Sequence, residues 1–214
     1  LPDLEFLAGL GSDGTYPNTM HRELFTRARQ LSKLPQPMVT TLTFVEPLGK
    51  QTQSILLPHA MFSGIYHNYP HMWNRSIVPD SSKLKDFWEF MDQNPAMLGH
   101  PVKTRVNYKA LAVPLSFHGD EVPIVGLGKG WTKLMATFSW ASLLGVGSAI
   151  QTMHYIWSAF TALCKTGDCD GTFHTFFRIL AWSFEALWVG KWPMEDWNGK
   201  VYLDLISNVL RHYG

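Results

Sequence analysis

Residues 106–140 read VNYKALAVPLSFHGDEVPIVGLGKGWTKLMATFSW, and this stretch decides the fold class. Its apolar and β-branched residues recur with a period of two, which is typical of half-buried strands. Gly119-Asp120 and the run Gly128–Gly130 have the composition of tight turns. The stretch therefore predicts a three-stranded antiparallel meander, with strands over Val106–His118, Val122–Leu127 and Trp131–Trp140.

The residues that follow predict two helices packed on this meander. An apolar stripe with spacings of three and four indicates the first helix, and it consists of Ile150, Met153, Trp157, Phe160 and Cys164. A second helix is predicted from about Thr172 to Val189, antiparallel to the first. We therefore expect an α+β domain in which a helical hairpin covers an antiparallel sheet.

The first 100 residues divide into two regions. Residues 1–35 predict a glycine-rich arm and a helix from about Met20 to Lys33,. Residues 36–100 predict a small β-hairpin over 38–46 and 54–57, an aromatic and histidine-rich loop with a short helical piece over 58–79, and a helix opened by Asp80. Residues 101–190 then form the core and 191–214 a tail, and we expect one domain overall.

Composition excludes several classes of protein. The chain has 214 residues, of which 46% are hydrophobic and 16% charged, with a net charge of +1, so it is neither a disordered acidic tail nor a polybasic arm,. The apolar segment 173–189 carries His174, Arg178 and Glu185, which argues against a membrane span. Only two cysteines are present, which favours a reducing, intracellular compartment,.

The predicted helix over Met20–Lys33 is the most basic element of the chain. Its basic side chains would contact phosphate if the protein binds DNA or RNA, and they are Arg22, Arg27, Arg29 and Lys33,. The alternative is an ordinary solvated helix face.

Two carboxylates are candidates for catalysis with Mg²⁺, because phosphoryl transfer uses acidic side chains to hold metal ions about the phosphate. Asp120 ends an apolar run, although Gly119-Asp120 also suits a hairpin turn,. Glu185 lies within about 40° of His174 and Arg178 on the second predicted helix, and this polar stripe also suits a solvent-facing surface.

Two further groups have residue types that bind metals. Cys164, Cys169 and His174 are spaced C-x4-C-x4-H and could hold Zn²⁺, although two ordinary buried thiols are the alternative,. The second group has the spacing H-x7-H-x3-H, and loops rich in Tyr and His usually only pack. Its members are His59, His67 and His71.

Four segments between residues 114 and 197 carry a family resemblance: PLSFHGDEVP, GLGKGW, FSWASLLG and LAWSFEALWVGKWP. They resemble a large multi-copy family of mostly uncharacterised dinoflagellate proteins that look transposon-derived. The resemblance implies the N-terminal part of a ribonuclease H-like transposase core, with Asp120 as its first acid. The family's later acidic strand and C-x-x-C motif do not occur before Gly214, so we expect the N-terminal half of a longer protein or an inactive remnant.

Two function classes follow from these observations. The first is a transposase-derived, ribonuclease H-like domain that processes or binds nucleic acid in the nucleus, with Mg²⁺ held by Asp120 and Glu185. The second is a non-catalytic subunit that packs an aromatic surface against partner proteins. Four tryptophans in or beside predicted loops would form that surface, namely Trp73, Trp131, Trp192 and Trp197.

Overall fold

The structure is a computed structural model that describes residues 35–124, 134–167 and 169–201, together with Thr26 and Lys33. The chain divides after Pro35 into two units, and every element below belongs to the second, Gln36–Gly214. Most of the predicted basic helix lies outside the described residues, as do Arg22, Arg27, Arg29 and Trp131.

The described residues form both strands and α-helices. In chain order they are β1 (Met38–Thr43), β2 (Lys50–Ile55), α1 (Pro58–Asn68), α2 (Pro70–Ser76), α3 (Ser81–Met91), α4 (Tyr108–Leu111), β3 (Leu115–Pro123), β4 (Leu134–Ser142), α5 (Ala149–Thr152), β5 (Met153–Phe160) and α6 (Thr172–Val189). The α+β class and the three-stranded antiparallel sheet are confirmed, with strand order β3-β4-β5.

The first strand of this sheet continues through the predicted turn. Gly119 and Asp120 lie within β3, where they pair with Phe138 and Thr137 of β4, so the turn alternative for Asp120 is wrong. A Cβ atom on Gly119 would lie 2.9 Å from the Phe138 ring, which explains why glycine occupies this position,. The remaining predicted turn, Gly128–Gly130, lies outside the described residues.

The third strand is β5, in a segment that we predicted as the first helix of the hairpin, and that prediction is wrong. A register shift between Phe138 and Ser139 interrupts the pairing of β4 with β5. Beside this bulge Ile156 and Trp157 are both buried, so the alternation of strand residues is broken,. The resulting apolar spacing of three and four imitates a helix.

The second predicted helix is confirmed as α6. Its buried side packs on one face of the sheet, where the Phe176 ring lies 4.7 Å from both the Phe138 and the Trp157 ring. Phe117 of β3 stacks parallel to Phe138 on the same face. Aromatic contacts therefore dominate this core, as the composition suggests.

The segment before the sheet holds more helix than expected. The hairpin β1–β2 and the helix α3 are confirmed, and the Asp80 side chain accepts a hydrogen bond from the Ser82 amide as its N-cap. The segment 58–79, predicted as a loop with a short helical piece, forms the two helices α1 and α2, each of which starts with a proline. Proline favours the first helical position because its fixed φ angle suits the helix and it needs no hydrogen-bond acceptor there.

No helix among the described residues has the length and hydrophobicity needed to cross a membrane.

Candidate functional site: a cavity between α1 and α6

A cavity of about 230 Å³ lies between α1 and the C-terminal end of α6. Helix α1 contributes one wall and α6, with the loop that follows it, contributes the other. The side chains most important below are His59, Phe62, Ser63, Tyr66, Ala186 and Trp192. The lining is therefore mainly aromatic and apolar, with a single imidazole.

His59 lies at the start of α1 and is almost fully buried, with 7% of its surface exposed. Its Nδ1 atom lies 2.8 Å from the Ser183 hydroxyl of α6, and its backbone amide donates to the same hydroxyl oxygen at 3.3 Å. The indoles of Trp182 and Trp192 meet its ring edge-on at 5.1 and 5.2 Å. Burial lowers the pKa of His59 to about 4, so this imidazole is neutral at pH 7,.

The loop after α6 brings Trp192 back over His59. Gly190 ends the helix with a φ of 72°, a left-handed conformation that glycine adopts without strain,. The Trp182 indole then donates a hydrogen bond to the Glu195 carbonyl at 3.0 Å, which ties the loop to the helix. Trp192 thus becomes a wall of the cavity, although 54% of its surface stays exposed.

Asp120 and Glu185 are both exposed, and of the two only Asp120 borders a depression. Asp120 lies on β3 beside Gly119, whose position is packed against the Phe138 ring. Asp120 also borders an open depression with Phe173 and Phe177, near the N-terminal half of α6. Glu185 is exposed on the same helix, eight residues beyond Phe177 and therefore about 12 Å further along its axis,.

The orientation of α6 separates the two carboxylates further. Phe176, Ile179 and Ser183 mark its buried side. At 100° per residue, Glu185 points about 150° away from that side. Glu185 therefore points away from the sheet, and a Mg²⁺ site shared by Asp120 and Glu185 stays a prediction.

The two cysteines among the candidate zinc ligands differ in their exposure to solvent. Cys164 is buried and Cys169 exposed. The Cys164 thiol donates to the Phe160 carbonyl, and burial raises the pKa of this thiol to about 11. No group of three or more His, Cys, Asp or Glu with metal-binding geometry occurs in the described part of the chain.

The remaining candidates are distributed over the surface. His67 and His71 are exposed and line no cavity with His59, while Lys33 is the only described member of the basic group. Trp73 is half-buried against Phe62 and Tyr66. Trp197 is half-buried under the Arg178 guanidinium, 5.3 Å from its ring. Among the described tryptophans predicted to form a surface, only Trp192 is mostly exposed.

Asp92 has the most strongly shifted pKa among the described carboxylates, and its contacts are structural. Asp92 accepts hydrogen bonds from the Tyr108 hydroxyl at 2.7 and 2.8 Å, and it pairs with Lys109 at 2.6 Å and Lys103 at 3.3 Å. These contacts lower the pKa of Asp92 to about 2, with the Lys109 contact as the largest cause. They connect the end of α3 to α4. Asp92 borders neither the cavity nor the open depression described above.

Comparisons with protein-family models, curated proteins and solved structures give no match to this chain. The candidate site therefore rests on geometry alone. Sequence reasoning grouped His59 with His67 and His71 and did not consider Ser183, which lies 124 positions away. The local signal available was the pair Pro58-His59 at a helix start, facing an aromatic-rich helix.

Proposed function

We propose that this chain is a binding protein that holds one aromatic group in the cavity between α1 and α6. The observation that carries the proposal is a buried, neutral imidazole in a cavity with aromatic walls. A concave apolar site with few polar groups is the usual form of a ligand site. Edge-to-face contacts with Phe62, Tyr66 and Trp192 would favour an aromatic occupant.

The size of the cavity limits the occupant. A dry cavity of about 150 Å³ accommodates benzene, whereas sites for drug-sized ligands measure about 300–1,000 Å³. The cavity here is about 230 Å³. It therefore suits a single ring with a short substituent and is too small for a dinucleotide.

The exposed residues at the cavity mouth favour a second candidate, in which the ring belongs to a partner protein. Tyr66 and Trp192 are 57% and 54% exposed beside the cavity, and Met194 follows at 75%. Such residues could surround an aromatic anchor, because protein interfaces concentrate binding energy in side chains that fill pockets. The nucleic-acid hypothesis has no comparable support, because only one of its two carboxylates, Asp120, borders a depression.

The direct test is titration of the chain with phenol, followed by tryptophan fluorescence and by NMR shifts. We expect saturable binding at one site. Ala186→Leu places three extra carbons in the cavity and should weaken binding about tenfold or more, because overpacking costs about 1–3 kcal/mol. Ala181→Leu makes the same change on the exposed side of α6 and should leave binding unchanged.

Non-saturable shifts, or equal binding by Ala186→Leu and wild type, would contradict the proposal. N-acetylphenylalanine amide in the same titration separates the two sources of the ring. Tighter binding than phenol supports a protein anchor, and weaker binding supports a free small molecule.

A further inference from the structure

The hydrogen bonds of Ser183 determine which nitrogen of His59 carries the proton. The Ser183 oxygen already accepts from the His59 amide, so its own proton needs an acceptor,. Among the residues that the structure describes, His59 Nδ1 at 2.8 Å is its only other partner. The hydroxyl therefore donates to Nδ1, and the neutral ring carries its proton on Nε2.

The Nε2–H group is directed to the cavity. It makes no hydrogen bond to a described residue, yet it is not among the buried polar atoms that lack a partner. It therefore retains accessible surface, and His59 lines the cavity. An occupant that accepts a hydrogen bond would satisfy this donor, whereas an occupant with only donors would leave it unpaired.

The charge at the mouth of the cavity also favours an occupant that accepts hydrogen bonds. Lys191 lines the cavity, and none of its other lining residues is Asp or Glu. Lys191 also forms no ion pair with any residue in the described part of the chain. A cation and an N–H donor that line the same cavity both favour a negatively charged acceptor.

We propose that the occupant is an aromatic acid, whose ring fills the cavity and whose carboxylate accepts from His59 Nε2–H beside Lys191. This inference rests on the proposed function, because it assumes that the cavity binds a ring. Ser183 is a positioning residue, since it acts on the ligand only by holding the tautomer of His59.

Three probes of nearly equal size test the inference by calorimetry at pH 7. Phenylacetate offers an acceptor and a negative charge, phenylacetamide an acceptor without charge, and phenethylamine a positive charge without an acceptor. We expect phenylacetate to bind most tightly and phenethylamine about tenfold more weakly or worse. Lys191→Met should bring phenylacetate to the level of phenylacetamide, a loss of about two- to fivefold.

Nitrogen NMR of the His59 ring gives a readout that is independent of affinity. Wild type should show a protonated Nε2 and an unprotonated Nδ1. Ser183→Ala should mix the two tautomers and weaken both phenylacetate and phenylacetamide. The inference would be overturned by a protonated Nδ1 in wild type, or by phenethylamine binding as tightly as phenylacetate. Saturable phenol binding would still support the proposed function in that case. Failure of all four compounds would overturn both.

Discussion

His59 and His154 are both buried histidines, and their surroundings differ in one decisive respect. Their exposed fractions are 7% and 4%, and burial lowers the pKa of each to about 4. His59 has Ser183 on one nitrogen and a cavity at the other. His154 instead stacks on Trp140 at 4.4 Å, and its Nε2 atom is buried without a partner. A perturbed pKa therefore reports burial at both places, and only the cavity distinguishes a candidate site.

The largest expected effect tests the feature that the two histidines share. Each has an unfolded pKa near 6.5 and a folded pKa near 4, so the unfolded state binds more protons between these pH values,. The free energy of unfolding should therefore fall as pH drops from 6.5 to 4, by at most about 3 kcal/mol for each histidine. Above about pH 7.5, where both states are neutral, neither contributes a slope.

Urea unfolding at pH 7 and pH 4.5 measures this dependence. His59→Phe and His154→Phe should each reduce the loss of stability at the lower pH, whereas the exposed control His67→Phe should not. A wild-type dependence retained in both buried variants would show that their imidazoles are not held neutral.

The next effect separates the two histidines. At pH 7, His59→Phe should lower the free energy of unfolding by about 1–3 kcal/mol, because the buried Ser183 hydroxyl loses its acceptor. His154→Phe should stay within about 1 kcal/mol of wild type or be more stable, because it removes a buried nitrogen that already lacks a partner,. Urea unfolding measures both changes. If the two variants lose the same free energy of unfolding, the two histidines do not differ as described.

The sequence predicted the elements whose patterns are local. Helix α6 matches its predicted bounds because an apolar stripe persists over 18 residues,. Strand β5 was predicted as helix because the bulge beside Phe138 breaks its alternation, and a bulge depends on the partner strand,. The fold class therefore followed from sequence, whereas the position of the third strand did not.

The cavity could not be predicted in the same way. It depends on the packing of α1 against α6, which brings His59 to Ser183 across 124 positions of sequence. The pattern of α6 alone pointed to Arg178 and Glu185, which are exposed, and to His174, which is half-buried. Ser183 and Ala186 of the candidate site come from the buried side of α6. From the sequence pattern, this side was expected only to pack against the sheet.

The central claim is that an aromatic ring occupies the cavity at His59 and no equivalent place at His154. The most direct measurement is the set of nuclear Overhauser effects from the ring protons of bound phenylacetamide. We expect contacts to the Ala186 methyl group and the Trp192 indole, with none to His154. Contacts confined to residues outside the cavity lining, with Ala186 silent at saturation, would contradict it.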